Sequence, residues 1–217
     1  DYIFIACRDS KRSELIRSQC TDTYKTNRKS ADPTLVQQFH HIYNSIEAMN
    51  ITSVKSTGYE ADDIIATLCY NLHRDNEIII ASSDKDMNQL LVYDNVKIYN
   101  PAKKVFFNSD DCFKKFKVYP HNFTFYQAFV GDASDNIQGI RGVGPKTAVK
   151  LINEYSTIKN FTNDTSSKYY KNLSDFKESL ELVTLFTHVP IEIDEYSKQD
   201  FKTKEFKEFC KSMEIKG

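Results

Sequence analysis

Apolar positions along the chain fall into short continuous runs in its first half and helically spaced faces in its second. Tyr2–Ala6 is a short apolar run that reads as a buried strand and ends near Asp9. A polar, basic stretch follows from Arg12 to Lys29. Asp32 then precedes Pro33, a capping acceptor before a residue suited to a first helical turn. Leu35, Phe39, Ile42, Ile46 and Met49 keep the helical period, which predicts one core-facing stripe. Ile51–Val54 predicts a weak strand, and Glu60–Leu72 a second helix with Ile64, Ile65, Leu68 and Leu72 turned inward. Glu77–Ala81 predicts a buried strand. Val96–Tyr99 and Lys104–Phe107, on either side of Asn100-Pro101-Ala102, predict a hairpin or two short edge strands. From Ser109 onward the period is helical, over Ser109–Phe116, Pro120–Val130, Pro145–Tyr155, Ser174–Phe186 and Lys202–Met213, with Thr162–Ser167 as a surface loop. The expected fold is α/β: a mostly parallel central sheet flanked by helices over residues 1–108, and a helical lobe over 109–217, with no flexible hinge between them.

Composition narrows this picture in three ways. The net charge is −1, so any surface for an anionic partner must be a local basic patch. No apolar run approaches the roughly 18 residues of a membrane span, and the opening DYIFIACRDSKR lacks the form of a signal peptide, so no membrane span and no membrane partner are expected. The cysteines, Cys7, Cys20, Cys69, Cys112 and Cys210, are odd in number and scattered, against both a disulfide framework and a zinc site. His40 and His41 are adjacent on a helix, and His73, His121 and His188 are isolated, so no histidine cluster is expected.

The candidate chemistry lies in carboxylates and one glycine-rich stretch. Gly131–Ile152 begins with Asp132 and Asp135, three apart, and continues through Gly139, Ile140, Arg141, Gly142, Val143 and Gly144 to a helix opening at Pro145. Glycines allow close approach to another molecule, and a helix N-terminus offers unpaired N–H groups to a phosphate, here flanked by Arg141 and Lys146. Taken alone, the stretch fits a turn between helices equally well. Asp84 and Asp86 follow directly on the Glu77–Ala81 strand, where open α/β sheets place their ligands. Asp9 follows the first strand, and Glu60, Asp62 and Asp63 sit in the first turn of the second helix, a place acids also favour for the helix dipole. Up to eight acids meeting at one sheet edge would repel one another unless divalent cations joined them. Two Mg²⁺ ions in such a site activate a water and stabilise the leaving oxygen of a phosphodiester.

These residues carry a resemblance. Gly58-Tyr59-Glu60-Ala61-Asp62-Asp63, Ser83-Asp84-Lys85-Asp86-Met87-Asn88-Gln89-Leu90, and Gly131-Asp132-Ala133-Ser134-Asp135-Asn136-Ile137 with Gly139–Lys146 resemble the 5′ nuclease domain of bacterial DNA polymerase I and the wider flap-endonuclease-like family. The likeness spans nearly the whole chain. It implies a metal-dependent 5′-3′ exonuclease and 5′-flap endonuclease of replication and repair, with two Mg²⁺ or Mn²⁺ ions. By motif match, Asp9, Glu60, Asp62 and Asp63 would serve largely one ion, and Asp84, Asp86, Asp132 and Asp135 largely the other. The resemblance also implies that Gly139, Arg141, Gly142, Gly144, Lys146 and Thr147 grip the duplex backbone as a helix–loop–helix clamp, in some members with a K⁺ ion. Arg17, Tyr24, Lys25 and Arg28 would form the basic arch around a single-stranded 5′ end, with Arg17, Lys25 and Arg28 as the catalytic cations. The implied partners are DNA with a free 5′ end, flap or branch, and a DNA polymerase domain in the same or another chain. Three departures stand out. The family's first strand, with its metal-binding Asp, has no counterpart here, and Asp1 is misplaced to replace it. Arg8 precedes Asp9 where the family has Phe, a position from which it could pair with a ligating carboxylate. Asp9 and Arg17 are one residue further apart than usual. Two readings are open, a fragment of a longer chain or a shortened protein; for the second the alternative expectation is a weakened branched-DNA-binding module, and a small RNA-cleaving domain ranks below both.

Overall fold

The computed structural model describes residues 2–192 and 203–215; Asp1, Lys202 and the last two residues of the expected helical lobe lie outside the described residues. Strands form close to where the apolar runs predict them. β1 (Ile5–Arg8) runs parallel to β2 (Thr52–Lys55), with Ile5 opposite Thr52. β3 (Ile78–Ala81) runs parallel to β4 (Val96–Asn100), and β4 pairs antiparallel with β5 (Val105–Phe107). Among the described residues these strands make a two-stranded and a three-stranded sheet. Tyr2, Ile3 and Phe4 are exposed and precede the paired register, which starts at Ile5 because the partner strand starts at Thr52.

Helices cover the strands. α1 (Ile16–Cys20) is a single short turn in the basic stretch. α2 (Pro33–Ala48) forms as expected, with Asp32 Oδ1 accepting the Thr34 N–H at 2.8 Å. Its predicted core stripe is corrected: Leu35, Phe39 and Ile42 are exposed, and no residue of α2 is buried. Period and cap suffice to make a helix, but burial needs a neighbour. α2 leans mainly on β2 and on α9 (Thr203–Ser212), with its half-buried residues in its last two turns. α3 (Ala61–Leu72) packs Ile64 and Leu68 with Val189 against Ile5, Cys7 and Val54 of the two-stranded sheet.

The helical lobe comprises α4 (Ser109–Phe116), α5 (Phe123–Val130), α6 (Pro145–Tyr155), α7 (Ile158–Asn163) and α8 (Leu173–Val183). Asn108 and Asp111 cap α4 reciprocally through each other's backbone N–H. Phe125, Phe129, Phe161 and Phe176, with ring centroids 4.8–6.2 Å apart, join α5, α7 and α8. One buried core continues from these rings through Met87, Leu90 and Leu91 to Val96 and Ile98 of β4, so the lobe and the three-stranded sheet share their interior. The five cysteines are free thiols, and no helix among the described residues is long and apolar enough to cross a membrane.

Candidate metal centre

Asp84 and Asp86 stand beyond the carboxyl end of β3. Ser82 Oγ accepts the Asp84 N–H at 3.0 Å, and Asp84 Oδ1 accepts the Asp86 N–H at 2.9 Å, so Asp84 caps a 3₁₀ helix over Lys85–Val92. Asp132 and Asp135 arrive on the loop after α5. There Gly131 (φ +70°) and Gly139 (φ +62°) pass so closely that a Cβ on Gly131 would lie 2.3 Å from the Ile137 carbonyl oxygen. Only glycine permits that approach. Asp132 and Ile137 then exchange two backbone hydrogen bonds of 2.8 Å each. Asp132 Oδ1 accepts the Ser134 N–H at 2.8 Å and the Ser134 hydroxyl at 2.6 Å. The result brings one carboxylate oxygen each of Asp86, Asp132 and Asp135 within 4.8 Å of one another. Three hard oxygen donors in that space suit a divalent cation of oxygen preference.

Other acids share the same field. Burial, then repulsion from Asp84, Asp86, Glu60 and Asp9, pushes the Asp62 carboxyl from 3.8 up to about 7. Burial, then Asp84, does the same to Asp86, up to about 7, against the hydrogen bond it accepts from Gln127. Asp132 goes the other way. Burial opposes its ionisation, but the Ser134 hydrogen bonds and Lys85, whose Nζ lies 3.1 Å away, outweigh it and hold the carboxyl below its ordinary range. Asp9 Oδ1 accepts the Ala61 N–H at 2.8 Å, which fixes it at the start of α3 beside Asp62. Asp9, Asp62, Asp84, Asp86, Asp132 and Asp135 thus gather at one edge. Arg8 does not join them; its guanidinium lies 3.6 Å over the Tyr43 ring.

Crowding of this kind costs stability in a defined pH window. A carboxyl whose folded pKa is raised opposes folding above its unfolded pKa, increasingly until pH passes the folded value. Asp62→Asn is therefore expected to raise the Tm of the metal-free protein at pH 8, with the gain vanishing below about pH 4. Thermal melts in EDTA at both pH values check this, and a lower Tm at pH 8 would contradict the crowding.

Asp63 is taken up in a buried ion pair, whereas Glu60 borders the acidic cluster, because Lys25 Nζ pairs with both Glu60 and Asp135. Asp63 is fully buried, and both its oxygens are taken: Arg17 Nη1 donates at 2.7 Å and Nη2 at 2.8 Å, the Glu60 N–H at 3.1 Å and the Phe186 N–H at 3.0 Å. Arg17 is itself 5% exposed, donates to the Thr184 carbonyl at 2.6 Å and to Glu60 at 3.0 Å, and stacks over Phe186. It faces the interior rather than a DNA arch. Glu60 accepts from the Tyr24 hydroxyl at 2.7 Å and pairs with Lys25. Burial opposes its ionisation, but Lys25, Tyr24 and Arg17 outweigh that and lower its pKa.

The rest of the basic stretch docks on the acidic edge. The Lys25 N–H donates to the Asp135 carbonyl at 2.8 Å, Asn27 to the Ala133 carbonyl at 2.6 Å, and Arg28 pairs with the Asp135 carboxylate. Tyr24 is 4% exposed, so its ring is packed in the core rather than offered to a base. The clamp loop is different. Ile140 and Val143 anchor it in the core, while Arg141, Gly142, Gly144 and Lys146 are exposed and Thr147 is half-buried at the start of α6. A Cβ at Gly142 or Gly144 would meet nothing within 4 Å, which leaves that backbone open to a partner. Sequence reading missed two residues at the centre, Lys85 beside Asp132 and Gln127 beside Asp86. Gln127 had a signal: a lone amide within the apolar helix Phe123–Val130.

The chain belongs to the 5′-3′ exonuclease family. Residues 1–117 match the family model described as 5′-3′ exonuclease, N-terminal resolvase-like domain, and residues 118–208 match 5′-3′ exonuclease, C-terminal SAM fold. The chain is 34% identical over 208 residues to a 5′-3′ exonuclease of Aquifex aeolicus, covering 93% of this chain and 68% of that protein. It is 35% identical over 191 residues to DNA polymerase I of Rhizobium leguminosarum, covering 84% of this chain but 19% of the relative. A Buchnera aphidicola 5′-3′ exonuclease, 36% identical over 163 residues, is matched over 55% of its length, so the chain spans only part of several relatives. Among solved structures, the fold is similar to that of T5 D15 protein co-crystallized with metal ions (TM-score 0.71, 22% identity, 99% of this chain and 85% of that chain).

Proposed function

We propose that the chain is a divalent-metal-dependent 5′-3′ exonuclease and 5′-flap endonuclease, hydrolysing DNA phosphodiesters where single strand meets duplex. The observation that carries the proposal is the meeting of Asp86, Asp132 and Asp135 within 4.8 Å, the last two on a segment that continues to the exposed Arg141, Gly142, Gly144 and Lys146. Asp86, Asp132 and Asp135 would hold one Mg²⁺ or Mn²⁺ ion, and Asp9, Asp62 and Asp84 a second. Bound there, the pair would supply an activated water and neutralise charge on the leaving oxygen. The chain's own groups do the positioning. The open backbone at Gly142 and Gly144, with Arg141 and Lys146, suits duplex phosphates. Lys25 and Arg28, already on the acidic edge, are placed to neutralise a phosphate entering it. Contacts of this kind read DNA shape rather than base sequence. A DNA polymerase domain, in the same or another chain, is the proposed partner, and the place of action is the cytoplasm at the nucleoid.

A fluorescent 5′-flap duplex, incubated with Mg²⁺ and separately with EDTA, tests the proposal. Flap release with metal alone is expected; tight binding without release in either condition would overturn the nuclease reading. Arg141→Ala and Lys146→Ala are each expected to weaken duplex binding similarly for all sequences, and to reduce the slope of log K against log salt by about 0.9. Anisotropy titrations between 50 and 200 mM salt, on the order of the range where such slopes resolve, check this.

A further inference from the structure

Asp86 is held by a helix from the other half of the molecule. Gln127 of α5, 1% exposed, donates its Nε2 to Asp86 Oδ1 at 2.6 Å. Its Oε1 accepts from Gln89 Nε2 at 2.9 Å. Gln89 Nε2 also donates to the Val183 carbonyl at 2.7 Å, and Gln89 Oε1 accepts the Leu185 N–H at 3.3 Å and the Thr124 hydroxyl at 3.1 Å. The direction of this relay follows from its fixed end. A backbone N–H can only donate and a backbone carbonyl can only accept, so Leu185 and Val183 together decide which way the Gln89 amide points. Gln89 then presents its NH₂ to Gln127, which must turn its carbonyl to Gln89 and its own NH₂ to Asp86. The orientation is thus set by the network. Every member is satisfied, the condition under which a buried polar network rigidifies what it touches.

We propose that Gln127 is a positioning residue of the metal centre, held in its working orientation by Gln89. Resting on Asp86 as a ligand, the inference assigns Gln127 two tasks. It fixes the carboxylate by occupying Oδ1, and Oδ2 accepts no other protein donor among the described residues. It also makes that contact as a neutral dipole. Lys85 on Asp132 and Arg28 on Asp135 bring positive charge that competes with a cation; an amide does not. The relay also ties the centre to the chain leaving α8, so α5, α8 and the 3₁₀ helix place one carboxylate jointly.

The test is Mn²⁺ affinity, read by electron paramagnetic resonance and calorimetry in the absence of DNA, with Tm measured alongside. Gln127→Met, which keeps volume and loses the donor, is expected to weaken Mn²⁺ binding about tenfold. Gln89→Met, which touches no acid, is expected to weaken it severalfold. The double variant is expected to bind no more weakly than Gln127→Met alone, because both act through one contact. A purely structural glutamine pair would lower Tm and leave Mn²⁺ affinity unchanged, and that result overturns the inference, as does additivity of the two losses. If Gln127→Met does not fold, wild-type affinity in Gln89→Met overturns it. Asp86→Asn separates the layers: its wild-type Mn²⁺ affinity would remove the metal-centre reading itself, whereas its loss beside an unchanged Gln127→Met would remove only the relay.

Discussion

Asp86→Asn is expected to lower 5′-flap cleavage by about a thousandfold or more while changing duplex affinity by no more than roughly twofold. Asparagine keeps the shape, and its Oδ1 still accepts from Gln127, so packing around α5 and the 3₁₀ helix is preserved. What disappears is one negative charge of the three-carboxylate cluster and the affinity for a cation that depends on it. The proposed duplex contacts, Arg141, Gly142, Gly144 and Lys146, are exposed and untouched by the change. The variant also loses a carboxyl pushed up to about 7 by burial and Asp84, so the metal-free protein gains stability above pH 7 as catalysis is lost. Single-turnover cleavage with Mg²⁺ and anisotropy in EDTA measure the two quantities separately. Equal loss of cleavage and binding, on a variant that melts no earlier than wild type, would show that Asp86 serves DNA binding and not the chemistry. Asp132→Ala is expected to follow the same direction with a lower Tm, because Asp132 Oδ1 also holds the Ser134 turn.

The acids were legible in the sequence where a general rule linked position to chemistry. Asp84 and Asp86 follow a strand end, and the structure puts them at the carboxyl edge of β3. Gly131 and Asp132 sit in a motif whose glycines are needed for the close pass of Gly131 and Gly139, so the loop shape was encoded in residue type. Legibility ended where the partner was another segment. The stripe of α2 has the period of a core face, yet Leu35, Phe39 and Ile42 remain exposed, since period says nothing about what stands opposite. Glu60 and Asp63 read as two more acids of a motif. Only the fold shows that Arg17, 43 and 46 residues earlier, takes them. The strands were located to within a few residues, but their division into two sheets is a property of pairing, which no local run carries.

Arg17→Ala is expected to destabilise the protein by about 3–5 kcal/mol, the cost of leaving a buried carboxylate without its cation. At the roughly 2–4 °C per kcal/mol typical of a chain this size, Tm should fall by about 6–20 °C. Asp63 has no route to water, and its remaining donors, the Glu60 and Phe186 N–H groups, carry no full charge. Glu60 is spared because it keeps Lys25 and the Tyr24 hydroxyl. Arg17→Lys should restore little, since a single ammonium cannot span both Asp63 oxygens and reach the Thr184 carbonyl and Glu60 as the guanidinium fork does. The paired change Arg17→Met with Asp63→Leu should recover most of the loss, because removing both charges removes the penalty along with the bridge. A cation that met DNA instead would behave in the opposite way. Its alanine variant would melt like wild type, bind flap DNA with a shallower salt dependence, and gain nothing from Asp63→Leu. Chemical denaturation of the three variants, with salt titrations of DNA binding on those that fold, decides between a clasp joining α1, α3 and the end of α8 and a residue of the DNA path.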